Sequence, residues 1–262
     1  MRLALKLAYD GKKFLGYARQ KELRTVEGAI IKALRELDII NLKSCKFQSS
    51  SRTDRNVSAL GNVIAFNTNF DYRDIIKALN VNLKDIWFYA KKIVAPDFNP
   101  RHAVQRWYRY FLMKDKLKIS NICKSAKLFI GKHDFSSFAK PSERCSVRKI
   151  DYIGITSKEP FLIIDIKAPN FLWHQVRKIV TALQKVGLEE LSAKDLKEAL
   201  SGSKKLELAP APPESLILMD VRYNFKFEVD CKALELLRKF LNWKFESLEA
   251  ERSIVESLLK TL

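Results

Sequence analysis

Histidine, cysteine and clustered acid are what this chain of 262 residues is short of. Its three histidines, His102, His133 and His174, lie too far apart for a His-x-x-x-His metal pair. Its four cysteines, Cys45, Cys123, Cys145 and Cys231, show no C-x-x-C spacing. That usage fits neither the common zinc patterns nor a disulfide framework, so no metal is expected and reduced, cytoplasmic thiols are. No apolar run approaches the ~20 residues that span a bilayer. The first residues alternate charge and apolarity too early for a signal peptide, and a soluble protein is expected. Acid is also outnumbered, with 30 Asp and Glu against 48 Lys and Arg and a formal charge of +18. Such a field favours polyanions: nucleic acid first, an anionic membrane surface second.

What is present is a globular chain. Hydrophobic residues make up 47% of it, which argues against disorder, and its length can bury a core in one large domain or two smaller ones. The charge is uneven. Asn224–Leu262 carries seven basic and seven acidic residues, so the whole excess belongs to the first 223 residues. Leu3, Leu5, Leu7 and Tyr9 alternate as an opening strand, and Val26, Ile30, Ala33 and Leu34 follow helical spacing behind Thr25 as N-cap. A helix around Arg73–Leu79 and strands over Ile86–Ile93 and Arg106–Lys114 complete a first half. The second half reads as a helix near Ile119–Ile130, strands near Val147–Thr156, Phe161–Ala168 and Leu216–Tyr223, and a capping box at Ser192-x-x-Asp195. Its clearest helix has the stripe Leu172, Val176, Ile179, Val180, Leu183 and Val186, stopped at Gly187.

This order predicts an α+β fold of two β-rich halves, residues 1–115 and 116–223, with mixed or antiparallel sheets, helices packed on them and a cleft between. Residues 224–262 are expected to form an amphipathic helical tail, apolar at Leu234, Leu237, Leu241, Phe245 and Leu248. Docking on its own body is the expected use of that stripe, a subunit contact the alternative.

Chemistry concentrates in Ser51-Arg52-Thr53-Asp54-Arg55-Asn56, a polar loop between two β-like runs. Arginines on both sides favour the ionised carboxylate, which can serve as a nucleophile. Alone, the stretch would read as a surface turn with a local ion pair. It is not alone. Arg52-Thr53-Asp54-x-x-Val57-x-Ala59-x-Gly61-x-Val63 resembles the signature of the tRNA pseudouridine synthase A family, with Asn56 and Ser58 where Gly and His are common. Asn tolerates a positive φ better than most residues, so the loop shape survives the first change. Tyr9-Asp10-Gly11-x-x-Phe14-x-Gly16-Tyr17 resembles the family's N-terminal motif, with Ala18 for Gln. Arg106-Trp107-Tyr108-Arg109-Tyr110 resembles its Arg-Arg-Tyr-Arg-Tyr strand, and Phe171-x-x-His174-x-Val176-Arg177 its Phe-x-x-His-x-Val-Arg segment. Phe98-Asn99-x-Arg101 and Ala211-Pro212-Pro213-x-x-Leu216, with Ser215 replacing Gly, extend the resemblance to about Tyr223.

The resemblance implies an isomerase that converts uridine to pseudouridine in the tRNA anticodon stem-loop, at tRNA positions 38, 39 and 40, as a homodimer and without cofactor. Asp54 is then the nucleophile, Tyr108 lies beside the base and Arg177 pairs with Asp54. Arg52, Arg55, Arg101, Arg106, Arg109 and Tyr110 are the expected RNA contacts. At roughly 100° per residue Arg177 falls about 140° from Leu172, on the flank of the stripe, with His174 pointing further round. Trp107 and Phe111 are expected in the core. A non-catalytic RNA-binding module that stacks bases on the aromatic strand is the competing reading, and a metal-dependent nuclease a weaker one, since Asp54 has no carboxylate cluster near it.

Overall fold

The computed structural model describes residues 1–141 and 145–261. Its strands are β1 (Arg2–Tyr9), β2 (Gln48–Ser49), β3 (Ser58–Asn67), β4 (Ile86–Val94), β5 (Gln105–Met113), β6 (Gly131–Asp134), β7 (Val147–Ile150), β8 (Tyr152–Lys158), β9 (Phe161–Ala168), β10 (Leu216–Arg222) and β11 (Glu228–Val229). The helices are α1 (Val26–Glu36), α2 (Ile75–Asn82), α3 (Ile119–Ala126), α4 (Gln175–Gly187), α5 (Ala193–Leu200) and α6 (Cys231–Thr261). The fold is α+β with a mixed sheet, ordered β11-β4-β1-β3-β10-β5-β9-β8 with β2 beside β3, and a separate β6-β7 ribbon.

The two halves share that one sheet. β10, late in the chain, slots between β3 and β5, parallel to the first and antiparallel to the second. There are two hydrophobic clusters, one under α1 and α2, the other under α3, α4 and α5, and neither keeps to one half: Tyr110 and Leu112 join the second and Leu218 and Val221 the first. Burial patterns show the difference between the halves. In β1 nearly every residue is buried, so both faces are covered. In β9 buried and half-buried residues alternate, so one face is packed and the other looks outward.

That one-sided packing corrects the expectation for Trp107 and Phe111. The helices cover the face of β5 that carries Tyr110 and Leu112, both buried, while Phe111 is exposed and Trp107 half-exposed on the other face. Trp107 lies there between the cations of Arg109 and Lys167, 5.2 and 4.8 Å from its ring centre.

α4 begins at Gln175, three residues later than the apolar spacing suggested. His174 ahead of it takes a left-handed φ of 65°, and the Leu172 amide is held by Gln175 Oε1 at 2.7 Å. Leu172, Trp173 and His174 thus form a turn, and the helical angle measured from Leu172 does not apply to them. Gly187 closes the helix at a close approach, since a Cβ there would lie 2.7 Å from Ile122 Cδ1 on α3.

The tail docks on its own body along its first part, although Leu241 of the expected stripe is exposed. Ala233 and Leu237 are buried, and Phe240 packs on Trp87 at 4.4 Å between ring centres. Lys244 pairs with Asp10. Beyond that point Phe245, Leu248, Val255 and Leu259 are exposed as the helix runs past its own body.

Candidate active site

The Asp54 loop is fixed from beneath. Ser50 Oγ donates to Asn62 Oδ1 at 2.7 Å, and Asn62 Nδ2 donates to the Ser51 carbonyl at 3.0 Å. The Tyr9 and Thr53 hydroxyls are 2.8 Å apart, and the Tyr17 amide donates to the Thr53 carbonyl at 3.2 Å. Burial raises the Tyr9 phenol well above its usual range, so it stays a neutral hydrogen-bonding group. The Tyr9-Asp10-Gly11 turn packs directly on the loop. A Cβ on Gly11 would fall 2.2 Å from the Val57 carbonyl oxygen, which explains glycine there. Asn56 adopts φ 66°, the left-handed conformation its residue type tolerates. Its side chain donates to Glu214 at 2.6 Å.

This scaffold points Asp54 into a cleft of about 830 Å³, within the range of sites that hold small molecules and nucleotides. Among the described residues the Asp54 carboxylate has three polar side-chain neighbours, all from Trp173–Arg177. Arg177 Nη1 donates to Oδ2 at 2.7 Å and Trp173 Nε1 to Oδ1 at 3.0 Å, while His174 Nε2 lies 3.5 Å from Oδ2. The Arg177 side chain is 11% exposed and that of Asp54 22%, so the pair is partly shielded from water. Arg177 is itself anchored: Nε donates to the Ala211 carbonyl at 2.6 Å, and the Ala211 amide donates back to the Arg177 carbonyl at 3.3 Å. The Ala211-Pro212-Pro213 segment thereby becomes a brace for the ion pair.

The arginines beside Asp54 in sequence are not its partners. Arg52 and Arg55 are exposed on the rim of the cleft, and Arg101 joins them there. Arg106 reaches the cleft floor but is buried, donating to Ser51 Oγ at 3.1 Å and to the carbonyls of Ser50, Arg101 and Pro169. Its donors are therefore taken up by the protein, and it acts as a clamp on the loop rather than as an RNA contact. Arg109 lies away from the cleft. β5 alternates faces, so Arg109 lies on the outer side, with Nε and Nη2 each 2.9 Å from Asp165. Tyr110, 2% exposed and with Ser215 beside its hydroxyl, is packed in the second core and does not line the cleft.

Tyr108 does line it, with Phe171 edge-on at 5.2 Å between ring centres. Burial pushes its phenol up to about 12, against the pull of Arg106 and the Ser51 hydroxyl. His174 goes the other way: burial lowers its pKa, Asp54 opposes this, and Arg177, Lys140 and Lys178 add to it. It therefore stands beside Asp54 as a neutral ring. Trp173, which donates to Asp54, is the site residue that sequence reasoning missed, and the approach of His174 to Asp54 was not foreseen. The Trp-His pair inside a motif already singled out was the available signal, but a left-handed turn at a non-glycine leaves no pattern.

An anionic oxygen held by a buried guanidinium, beside an aromatic phenol in a basic-rimmed cleft, can attack an electron-poor carbon of an RNA substrate. Comparison with known proteins gives the family. The family model described as tRNA pseudouridine synthase matches residues 125–224. The tRNA pseudouridine synthase A of Thermococcus sibiricus is 43% identical to this chain, over 100% of both. That of Pyrococcus abyssi is 43% identical over 94% of each, and that of Pyrococcus horikoshii 40% identical over 99% of this chain and 100% of the relative. With relatives this similar along its whole length, the chain belongs to the tRNA pseudouridine synthase A family, a family of isomerases.

Proposed function

We propose that this chain converts uridine to pseudouridine in the anticodon stem-loop of tRNA, at tRNA positions 38, 39 and 40, with Asp54 as nucleophile. The observation that carries the reading is the Asp54–Arg177 pair at 2.7 Å on the wall of the cleft that Tyr108 also lines. The reaction breaks the C1′–N1 bond, turns the uracil and joins C1′ to C5. One proton leaves C5 and one arrives at N1, so atoms balance without a co-substrate. Asp54 forms a transient bond to the substrate on the way to breaking C1′–N1, and that bond breaks again, returning the free carboxylate, once C1′ has joined C5. Arg177 supplies the positive charge that pairs with the carboxylate in the partly shielded cleft.

Tyr108, neutral with its phenol near 12, supports the base by stacking and by hydrogen bonding. A target base inside a helix is out of reach and must be flipped out, at a cost of roughly a few kcal/mol. Arg52, Arg55 and Arg101 on the rim suit phosphate contacts that orient the RNA. A homodimer bridged by one tRNA and a cytoplasmic site of action belong to the same reading, on the resemblance alone. The test is a tRNA transcript with each anticodon-stem uridine replaced in turn by cytidine, followed by digestion and nucleoside chromatography. Pseudouridine should vanish only on replacement of 38, 39 or 40. Loss on replacing a uridine elsewhere would move the target.

A further inference from the structure

The two oxygens of Asp54 are held in very different ways. Oδ2 is gripped by Arg177, a largely shielded side chain on a helix, braced at Ala211 from both its Nε and its carbonyl. Oδ1 has one partner among the described residues, the indole N–H of Trp173. Trp173 is 59% exposed as a residue and sits in the turn before α4, outside the helix. Its other attachments among the described residues are light: Lys140 Nζ lies 3.8 Å from the ring centre, the His174 ring is tilted against it at 5.3 Å between centres, and the Lys140 amide donates to the Trp173 carbonyl at 2.9 Å. Oδ2 is thus built to stay and Oδ1 to be released.

We propose that Trp173 is a displaceable cap on the nucleophile, holding Asp54 Oδ1 in the empty site and yielding it to the flipped uridine while Arg177 keeps Oδ2. An oxygen that accepts an N–H bond is a weaker nucleophile, and the indole also covers its approach. A nucleotide that seats fully in the cleft displaces the ring. One that only brushes the rim, held by phosphate contacts, does not. Trp173 is therefore a positioning and selecting residue, acting through Asp54, and Oδ1 is the oxygen that bonds to the substrate.

This inference rests on Asp54 being the nucleophile, and the experiment separates the two. The chain carries four tryptophans, so Trp173 is isolated by comparing wild type with Trp173→Phe, which keeps a ring but loses the N–H. The exposed position leaves folding intact. On mixing with substrate tRNA, wild type should show a change in tryptophan emission that Trp173→Phe lacks. A fully paired RNA duplex of the same length, bound through phosphates only, should not produce it. Because the substrate no longer competes with the indole, kcat/KM for tRNA should rise in Trp173→Phe by roughly three- to tenfold, the scale of a charged hydrogen bond partly screened by water. No emission change assignable to Trp173, or a kcat/KM that is unchanged or lower, overturns the cap. Asp54→Asn is run beside it. If that variant still makes pseudouridine, the nucleophile assignment fails whatever Trp173 does; if it is dead, a negative Trp173 result sinks the cap alone.

Discussion

Arg177→Met removes the guanidinium while keeping the length and most of the packing of the side chain. Two bonds go with it, one to Asp54 at 2.7 Å and one to the Ala211 carbonyl at 2.6 Å. A hydrogen bond to a charged group is worth about 1.5–3 kcal/mol net, and a buried carbonyl left unpaired costs about 1–3 kcal/mol. Asp54 is 22% exposed, so water recovers part of the first amount. A total near 2–4 kcal/mol follows, within the ~5–15 kcal/mol that holds a domain folded. At roughly 2–4 °C per kcal/mol the melting temperature should fall by about 4–16 °C, read by calorimetry. The chemical loss should be larger. Withdrawing a fixed charge from a reacting group lowers the rate by about 10²–10³, measured as single-turnover pseudouridine formation at saturating tRNA. Arg177→Lys keeps a charge but reaches one of its two partners at a time, and should fall between wild type and Arg177→Met. Folded Arg177→Met reacting at close to the normal rate would refute the reasoning, leaving the pair as architecture.

Tyr108→Phe keeps the stacking face and drops the hydroxyl, so tRNA affinity should change little while product formation falls strongly; full activity would show that the phenol oxygen has no chemical part. Burial lowers the His174 pKa, so the unfolded chain binds that proton more readily just below the ordinary value of 6.5, and stability should fall as pH drops through that window. In His174→Gln the decline in melting temperature between about pH 7 and pH 5 should be smaller; equal declines would contradict the assignment. Removing residues 246–262, all exposed where described, should leave melting temperature and tRNA affinity nearly unchanged. Removing residues 231–262 uncovers Trp87 and should destabilise the chain, and destabilisation of the same size by the shorter cut would refute the docking described for α6.

Elements with one face in water were legible from sequence. β9 alternates cleanly and was placed at Phe161–Ala168 without error, and β10 was misplaced by one residue at its end. The insertion of β10 between β3 and β5 was not legible, because strand order is decided by pairing across long stretches of chain. At the site, Asp54, Tyr108 and Arg177 were visible as motifs, and the cleft brings all three to its lining. The arginines were harder to place. Arg109 sits one residue from Tyr108, yet the period-two pleat puts it on the opposite face, paired with Asp165. Arg106 was lost to carbonyls of three separate segments, and backbone acceptors leave no mark on sequence. The approach of His174 and Trp173 to Asp54 depends on one left-handed residue that helical periodicity overlooked.

Asp54→Asn tests the central claim most directly. The amide keeps the size of the side chain and its one oxygen can still accept from Arg177 or from Trp173, which bond to separate oxygens of Asp54, but it carries no charge and is not a nucleophile. Purified, folded Asp54→Asn, incubated with substrate tRNA at every pH where the protein is stable, should give no pseudouridine on nucleoside chromatography and should bind tRNA at least as tightly as wild type. Pseudouridine at anything near the normal rate would contradict the account.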